Sequence, residues 1–163
     1  MMSRVHSEHG FTLAESMIAM TILMIGMLGL VAMQTFALSK NGDAYQMTTA
    51  SNLTSDLLER IVFNRAHVTA YHGIDTNNAA TQPPTSEAMA RGDFAQWQTL
   101  LNASHLTNAR GTVSVVLLDT DPAVSASSLG RRQVTVQLTW TGPLQNGVTR
   151  PHTLTMTTLL ATE

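Results

Sequence analysis

The longest stretch without a charged side chain runs from Ser16 to Ser39, between Glu15 and Lys40. It is dominated by Ala, Met, Leu and Ile, and no proline precedes Pro83, so an unbroken helix is favoured. With a rise of ~1.5 Å per residue, that helix would be ~36 Å long, enough to cross a hydrocarbon layer of ~30 Å. The chain is therefore predicted to carry a membrane helix near its N-terminus.

Length, charge and residue content exclude several classes of function. The chain has 163 residues, which leaves room for one modest domain after the helix. Its formal net charge is -2 and it has no basic run, so bulk charge does not indicate nucleic-acid binding. The absence of cysteine excludes disulfides and thiolate chemistry. No histidine pair has a third ligand nearby in sequence and no catalytic motif is present, so neither a metal site nor an enzyme is predicted.

After Lys40 the apolar residues recur every three or four positions, a spacing typical of an amphipathic helix. They are Ala44, Met47, Ala50, Leu53, Leu57 and Ile61. A single helix is therefore predicted from about Phe11 to about Ala66. Its first half is apolar all round, and its second half has one stripe that can pack on a domain. Asp56 and Arg60 are predicted to pair along this helix.

The rest of the chain predicts a short helix and an antiparallel sheet. Asp93 is placed to cap a helix over Phe94–Ala103, after a loop at Ile74–Ser86. Strands are predicted at Thr112–Leu118, Gln133–Trp140 and Val148–Leu160, with turn residues at Gly142-Pro143 and Asn146-Gly147. The predicted fold class is α+β, with the long N-terminal helix packed on an antiparallel sheet of three or more strands.

The residues just before the apolar run are distinctive. Gly10, Phe11 and Glu15 lie in the sequence GFTLAE, which resembles the class III signal of type IV prepilins. The resemblance implies that prepilin peptidase cleaves between Gly10 and Phe11, and that Phe11 is then N-methylated. It also implies that Glu15 pairs with the N-terminal amine of a neighbouring subunit when the helices bundle into a filament.

The position of Glu15 is physically consistent with that role. A carboxylate at the centre of a bilayer costs roughly 2.5–3.5 kcal/mol on insertion scales, and less near the interface. Pairing with a buried amine in a filament would offset this cost. The alternative is that Glu15 simply lies at the headgroup level of an ordinary signal anchor.

Segments further along the chain resemble PilV-type minor pilins, the type IV pilus modification proteins. These segments are IGMLGLVAMQ at Ile25–Gln34, SDLLERI at Ser55–Ile61, DFAQWQTLL at Asp93–Leu101 and VTVQLTW at Val134–Trp140. The resemblance implies a minor pilin that primes or supports type IV pilus assembly and needs no cofactor. Its implied partners are the inner membrane, prepilin peptidase, the pilus assembly platform, the major pilin and other minor pilins, and a tip adhesin is a further candidate.

The resemblance also implies a division of the chain. Residues 1–10 would be a leader peptide, 11–39 the transmembrane and assembly half of the helix, and 40–163 a periplasmic domain. The protein would be held in the inner membrane and then enter the filament or its tip. Minor pseudopilins of type II secretion share the N-terminal pattern and remain the alternative, and a membrane-anchored periplasmic enzyme is a more distant one.

Two expectations concern flexibility and contact. Gly26 and Gly29 either weaken the membrane helix, so that it can extend in a filament, or form a small-residue contact face between helices. Ile74–Gly92 and Thr120–Arg132 are the candidate surface segments for contact with partners, because their sequences are typical of flexible loops.

Overall fold

The computed structural model describes residues 11–118, 130–142 and 148–161. The helices are α1 at Leu13–Phe63 and α2 at Ala88–Ala103, with short 3-10 helices at Arg65–Tyr71 and Ala79–Thr81 between them. The strands are β1 at Thr107–Leu117, β2 at Arg131–Thr141 and β3 at Pro151–Ala161. The chain divides into two compact units, Met1–Asn41 and Gly42–Glu163.

The described part of the first unit is the apolar half of α1. Every side chain from Phe11 to Leu38 is exposed, although most of them are large and apolar. The most apolar 18-residue window of α1 has a mean hydropathy of 2.2 and is 0% buried in the protein. By length and composition, α1 is therefore a helix that can cross a membrane.

In the second unit, α1 buries a stripe of residues against the domain core. The fully buried positions are Ala50, Thr54, Leu57 and Ile61. The prediction that Ala44 and Met47 belong to this stripe is wrong, because both are exposed. One turn of α1 before Ala50, the domain-facing residue is polar: the side-chain oxygen of Gln46 accepts a hydrogen bond from the indole nitrogen of Trp140 at 3.1 Å.

The end of α1 is close to its predicted position. The α-helix stops at Phe63 rather than Ala66, and the chain continues as the 3-10 helix Arg65–Tyr71. Gly73 then has a φ of 77°, in the left-handed region that glycine adopts without a steric penalty.

The helix α2 begins earlier than predicted. Its N-cap is Glu87, and Asp93 lies in its interior rather than at its start. The carboxylate of Asp93 is instead turned into the protein, where it accepts hydrogen bonds from Tyr71 and Arg60. Tertiary contacts therefore satisfy the acidic side chain that suggested a helix cap.

The sheet is antiparallel, as the sequence predicted, and its strand order is β1-β2-β3. The inner face of β2 is buried at every second residue, namely Val134, Val136, Leu138 and Trp140. This face packs in one core with Leu57 and Ile61 of α1 and with Trp97 of α2. The α+β class, with the long helix packed on the antiparallel sheet, is confirmed.

The strand bounds differ from the sequence estimates. The strand β1 starts at Thr107 instead of Thr112, because its pairing with β2 continues past an irregularity between Thr107 and Arg110 as far as Thr107. The strand β3 starts at Pro151 instead of Val148. Residues 143–147, which hold most of the predicted turn, lie outside the described residues, and so does most of Thr120–Arg132.

The predicted loop at Ile74–Ser86 is only partly a loop. Its first residue, Ile74, is 2% exposed and belongs to the core. Residues 73–76 also form backbone hydrogen bonds with β1, including one from the nitrogen of Thr76 to the carbonyl of Gly111 at 2.9 Å. This segment therefore covers one edge of the sheet instead of projecting as a flexible surface loop.

Candidate functional site at the start of α1

The first turn of α1 is closed by a reciprocal pair of side chains. The carboxylate of Glu15 accepts hydrogen bonds from the backbone nitrogen and the hydroxyl of Thr12, both at 3.1 Å. In return, the hydroxyl oxygen of Thr12 accepts from the backbone nitrogen of Glu15 at 3.3 Å. This is a capping box, in which two free N–H groups at a helix start are both satisfied.

The capping box gives Glu15 a role within its own helix that the sequence analysis missed. The spacing T-x-x-E at Thr12–Glu15 is the local signal that could have revealed it. Both contacts from Thr12 use the same carboxylate oxygen, Oε2. The other oxygen, Oε1, has no hydrogen-bond partner among residues 11–118, 130–142 and 148–161. Glu15 can therefore cap α1 and still accept a bond from a cation outside this chain.

The electrostatics of this helix end suit a carboxylate. The first N–H groups of a helix carry a partial positive charge, and an acidic side chain in the first turn is stabilised by it. Glu15 is the acidic residue in the first turn of α1 and its side chain is exposed. The carboxylate is thus held in a fixed orientation at the helix start while it remains open to a partner.

The predicted processing residues lie directly before this cap. Phe11 is the first described residue, and its side chain is 78% exposed. Gly10 lies outside the described residues. Cleavage between Gly10 and Phe11 and methylation of Phe11 therefore remain predictions from the sequence.

Gly26 and Gly29 lie inside α1, which continues through both positions. A Cβ atom added at either glycine would meet no other atom within 4 Å. Packing within the described chain therefore gives no reason for glycine at these positions. The two interpretations, helix weakening and contact between helices, both remain predictions.

A second polar cluster joins α1, α2 and the 3-10 helix between them. The hydroxyl of Tyr71 donates to Asp93 at 2.5 Å and accepts from the Asn64 side chain at 3.1 Å. Arg60 donates to Asp56 at 3.0 Å, to Gln96 at 2.7 Å and to Asp93 at 3.5 Å. The predicted pair between Asp56 and Arg60 is thus confirmed.

The side chains of this cluster hold the three helices together through hydrogen bonds. Burial and the hydrogen bond to Asp93 raise the pKa of Tyr71, so its hydroxyl stays protonated at neutral pH. The carboxylate of Asp56 raises the pKa of Arg60, which stays charged. No group of three or more potential metal ligands occurs in the part of the chain that the structure describes.

The fold and the N-terminal helix together define a class: an α+β protein of pilin-like architecture with a helix that can span a membrane. Comparison with known families adds one finding on the N-terminal residues. Residues 5–31 match the family model described as the prokaryotic N-terminal methylation motif, and this match supports a place in the type IV pilin superfamily. The comparison with curated proteins and the comparison with solved structures each returned no match.

Proposed function

We propose that this chain is a minor pilin that primes or supports the assembly of a type IV pilus. The match of residues 5–31 to the N-terminal methylation motif carries the proposal. The pilin-like architecture and the capped carboxylate of Glu15 are consistent with it. Proteins of the type IV pilin-like kind are structural subunits, so the proposed role is a structural one.

In this proposal the chain is made as a precursor with residues 1–10 as its leader. Prepilin peptidase cleaves between Gly10 and Phe11, and the new N-terminus at Phe11 is methylated. Residues 11–39 hold the protein in the inner membrane and later pack among other helices in the filament. Residues 40–163 form the periplasmic domain, and the assembly platform adds the subunit next to other minor pilins and the major pilin.

Glu15 links the two environments of the helix. In the membrane its carboxylate is satisfied by Thr12 and by the N-terminal end of the helix. In the filament, its oxygen Oε1 would accept a charge-assisted hydrogen bond from the methylated amine of a neighbouring subunit. Gly26 and Gly29 would act in the filament-bound helix, either where it extends or where it contacts another helix.

The processing step gives a direct test of the proposal. Replacing Gly10 by a bulky residue such as Val would obstruct the peptidase, because glycine presents no side chain at the cleaved bond. Intact mass spectrometry of membranes should then find a precursor that retains Met1–Gly10. The wild-type protein should instead begin with Phe11 and carry one additional methyl group.

A matched control separates cleavage from general damage to the helix. Gly26→Val introduces the same side chain at a position where an added Cβ meets nothing within 4 Å, so processing should continue. Normal cleavage of the Gly10→Val precursor would contradict the proposed processing site.

The same N-terminal motif also supports a minor pseudopilin of a type II secretion system. The two functions differ in where the mature subunit is found. A minor pilin should be detected in sheared and purified pili by quantitative mass spectrometry, and its deletion should reduce piliation. Loss of protein secretion with normal pili would favour the pseudopilin.

A further inference from the structure

The two outer edges of the sheet differ in whether another segment forms hydrogen bonds with them. The outer edge of β1 is covered by the segment that follows the 3-10 helix at Arg65–Tyr71. Gly73 donates its backbone N–H to the carbonyl of Val113 at 3.0 Å, and Val113 donates to the carbonyl of Ile74 at 3.0 Å. The side chain of His72 accepts a further hydrogen bond from the backbone nitrogen of Val115 at 3.1 Å. The middle of the outer edge of β1, from Gly111 to Val115, is thus covered by hydrogen bonds.

The outer edge of β3 has no such cover among residues 11–118, 130–142 and 148–161. The strand has 11 residues, so this edge is ~36 Å long. Proteins usually protect an exposed edge with charged side chains, prolines or bulges. The strand Pro151–Ala161 contains no Asp, Glu, Lys or Arg, its pairing with β2 has no register shift, and its one proline is its first residue. As far as the described residues show, the edge is therefore open for pairing with another strand.

A groove lies beside this edge, between β3 and the domain half of α1. It is an open cavity of about 330 Å³ lined by Ser55, Leu58, Glu59, Val62 and Thr158. The hydroxyl of Ser55 donates to the sulfur of Met156 at 3.6 Å, which shows that α1 lies directly against the inner face of β3 here. A strand added next to β3 would direct every second side chain toward α1 and into this groove.

The lining of the groove indicates what could fill it. Leu58 and Val62 provide an apolar wall, and Val62 is 39% exposed although it faces a concave surface. Glu59 is exposed on the same helix and has no ion-pair partner among the described residues. The groove therefore suits an apolar side chain with a basic side chain close to it.

We propose that the outer edge of β3 and this groove form a docking site for an extended segment of a partner protein. The segment adds a fourth strand to the sheet, and backbone hydrogen bonds to β3 supply much of the affinity. One of its apolar side chains fills the groove between Leu58, Val62 and Thr158. A Lys or Arg of the segment pairs with Glu59.

A second copy of this chain is a poorer occupant than a partner segment. Antiparallel pairing of two β3 edges about a two-fold axis would also make the two domain halves of α1 antiparallel. The first residues of the two domains would then lie at opposite ends of the dimer. Each domain is joined directly to residues 11–39, so two copies anchored in one membrane would need both of these ends near that membrane; the exclusion of a second copy rests on the membrane anchoring in the proposed function.

The test uses the full chain in lipid nanodiscs and a displayed library of random peptides of about ten residues, the upper range of strand length. Selected peptides should alternate apolar and polar residues and include a basic residue. Hydrogen–deuterium exchange should show that a selected peptide protects amides of β3 and leaves those of β1 unchanged. The same peptide with N-methylated backbone nitrogens keeps its side chains but should lose binding.

Two lysine substitutions locate the site. Val62→Lys places a charged chain in the groove and should weaken binding by at least about tenfold. Val116→Lys is the matched control, because Val116 is 49% exposed and lies on β1, the strand at the opposite edge of the sheet from β3. Circular dichroism of both variants verifies that they are folded.

Several outcomes would overturn the inference. These are a library that yields no binder, selected peptides that bind without protecting β3, and equal binding by Val62→Lys and the wild type. Light scattering that shows a dimer with β3 protected in the absence of peptide would assign the edge to a second copy. None of these results depends on cleavage at Gly10, so failure here is distinguishable from failure of the proposed processing.

Discussion

At the scale of single residues, Gly111 of β1 lies in close contact with Trp97 of α2. A Cβ atom added at Gly111 would collide with the six-membered ring of Trp97. That ring is 1% exposed, and its indole nitrogen donates to the carbonyl of Leu53 at 3.1 Å, so it has little freedom to move aside. Glycine is therefore required here by the approach of helix and strand.

This contact predicts the effect of a single methyl group. Gly111→Ala should destabilise the domain by about 1–3 kcal/mol, the usual cost of overpacking a core, as measured by denaturant unfolding in detergent. Gly92→Ala is the control, because Gly92 lies within α2 and an added Cβ there meets no atom within 4 Å. The control should be unchanged or slightly more stable. Equal stability of the two variants would contradict the packing argument.

Tyr71 predicts an alkaline limit to stability. Its pKa in the folded protein lies above its ordinary value of 10.0, because burial and the bond to Asp93 disfavour the phenolate. The folded state therefore binds the proton more tightly, and the resulting stability is present below about pH 10 and is lost as the pH rises toward the folded-state pKa. The free energy of unfolding should fall by up to about 1.4 kcal/mol per pH unit in that window.

Unfolding experiments across this pH range can isolate the contribution of Tyr71. Tyr71→Phe should be less stable at neutral pH, because Asp93 and Asn64 lose a hydrogen-bond partner, but its stability should decline less steeply above about pH 10. Tyr45→Phe changes an exposed tyrosine and should keep the wild-type slope. An unchanged slope in Tyr71→Phe would show that another group causes the alkaline loss.

At the scale of the elements, local patterns predicted most of the secondary structure. The alternation in β2 and the spacing of Ala50, Leu57 and Ile61 in α1 are periodic, and the periodicity is set by which face is buried. The start of α2 could not be predicted in this way. Asp93 resembles a helix cap in sequence, but its partner Tyr71 lies 22 residues away and only the folded chain brings them together.

The candidate site shows the same division between local and distant signals. The capping box at Thr12 and Glu15 is contained within four residues and was available in the sequence. The open edge of β3 was not, because it depends on which strand lies at the border of the sheet and on which edge is covered by residues 73–76. Strand order is a tertiary property that no local pattern of residues specifies.

An ion pair between Arg110 of β1 and Asp75 joins the covering segment, residues 73–76, to the strand. Arg110 donates to both carboxylate oxygens of Asp75, the shortest contact being 2.6 Å. These bonds lower the pKa of Asp75 below its ordinary value of 3.8. The stability that results is present above about pH 4 and is lost as the pH falls through the folded-state pKa of Asp75.

This pair predicts an acid dependence that one substitution should reduce. Comparing denaturant unfolding near neutral pH with unfolding near about pH 3, Arg110→Ala should lose less stability on acidification than the wild type. Arg91→Ala is the control, because Arg91 donates to the carbonyl of Pro83 rather than to a carboxylate. The control should retain the acid dependence of the wild type. An Arg110→Ala protein with the full dependence would assign the effect to other carboxylates.

At the scale of the whole molecule, the proposed function requires one helix to be stable in two surroundings. The apolar residues from Met17 to Leu38 suit both a bilayer and a bundle of similar helices. Glu15 is the exception, because a carboxylate needs a polar partner in either place. The capping box supplies a partner within the chain, and the unused oxygen Oε1 leaves room for a second partner from another subunit.

The two roles of Glu15 can be separated by substitution. Glu15→Gln keeps a side chain that can complete a capping box but removes the negative charge. Thr12→Val keeps the charge but removes the hydroxyl that caps the helix, at a cost of ~0.5–2 kcal/mol in helix stability. If Glu15 pairs with an amine of a neighbouring subunit, Glu15→Gln should insert into the membrane and be cleaved, yet be depleted from purified pili. Thr12→Val should enter pili at nearly the wild-type level.

The measurement is the ratio of subunit in sheared pili to subunit in the inner membrane, determined by quantitative mass spectrometry for each variant. Glu15→Ala, which removes both the cap and the charge, should be depleted at least as strongly as Glu15→Gln. Normal incorporation of Glu15→Gln would mean that the carboxylate acts only as a helix cap. Depletion of Thr12→Val to the level of Glu15→Gln would mean that assembly depends on an ordered first turn of α1 as well as on the charge, which contradicts the expectation that the cap is dispensable for incorporation.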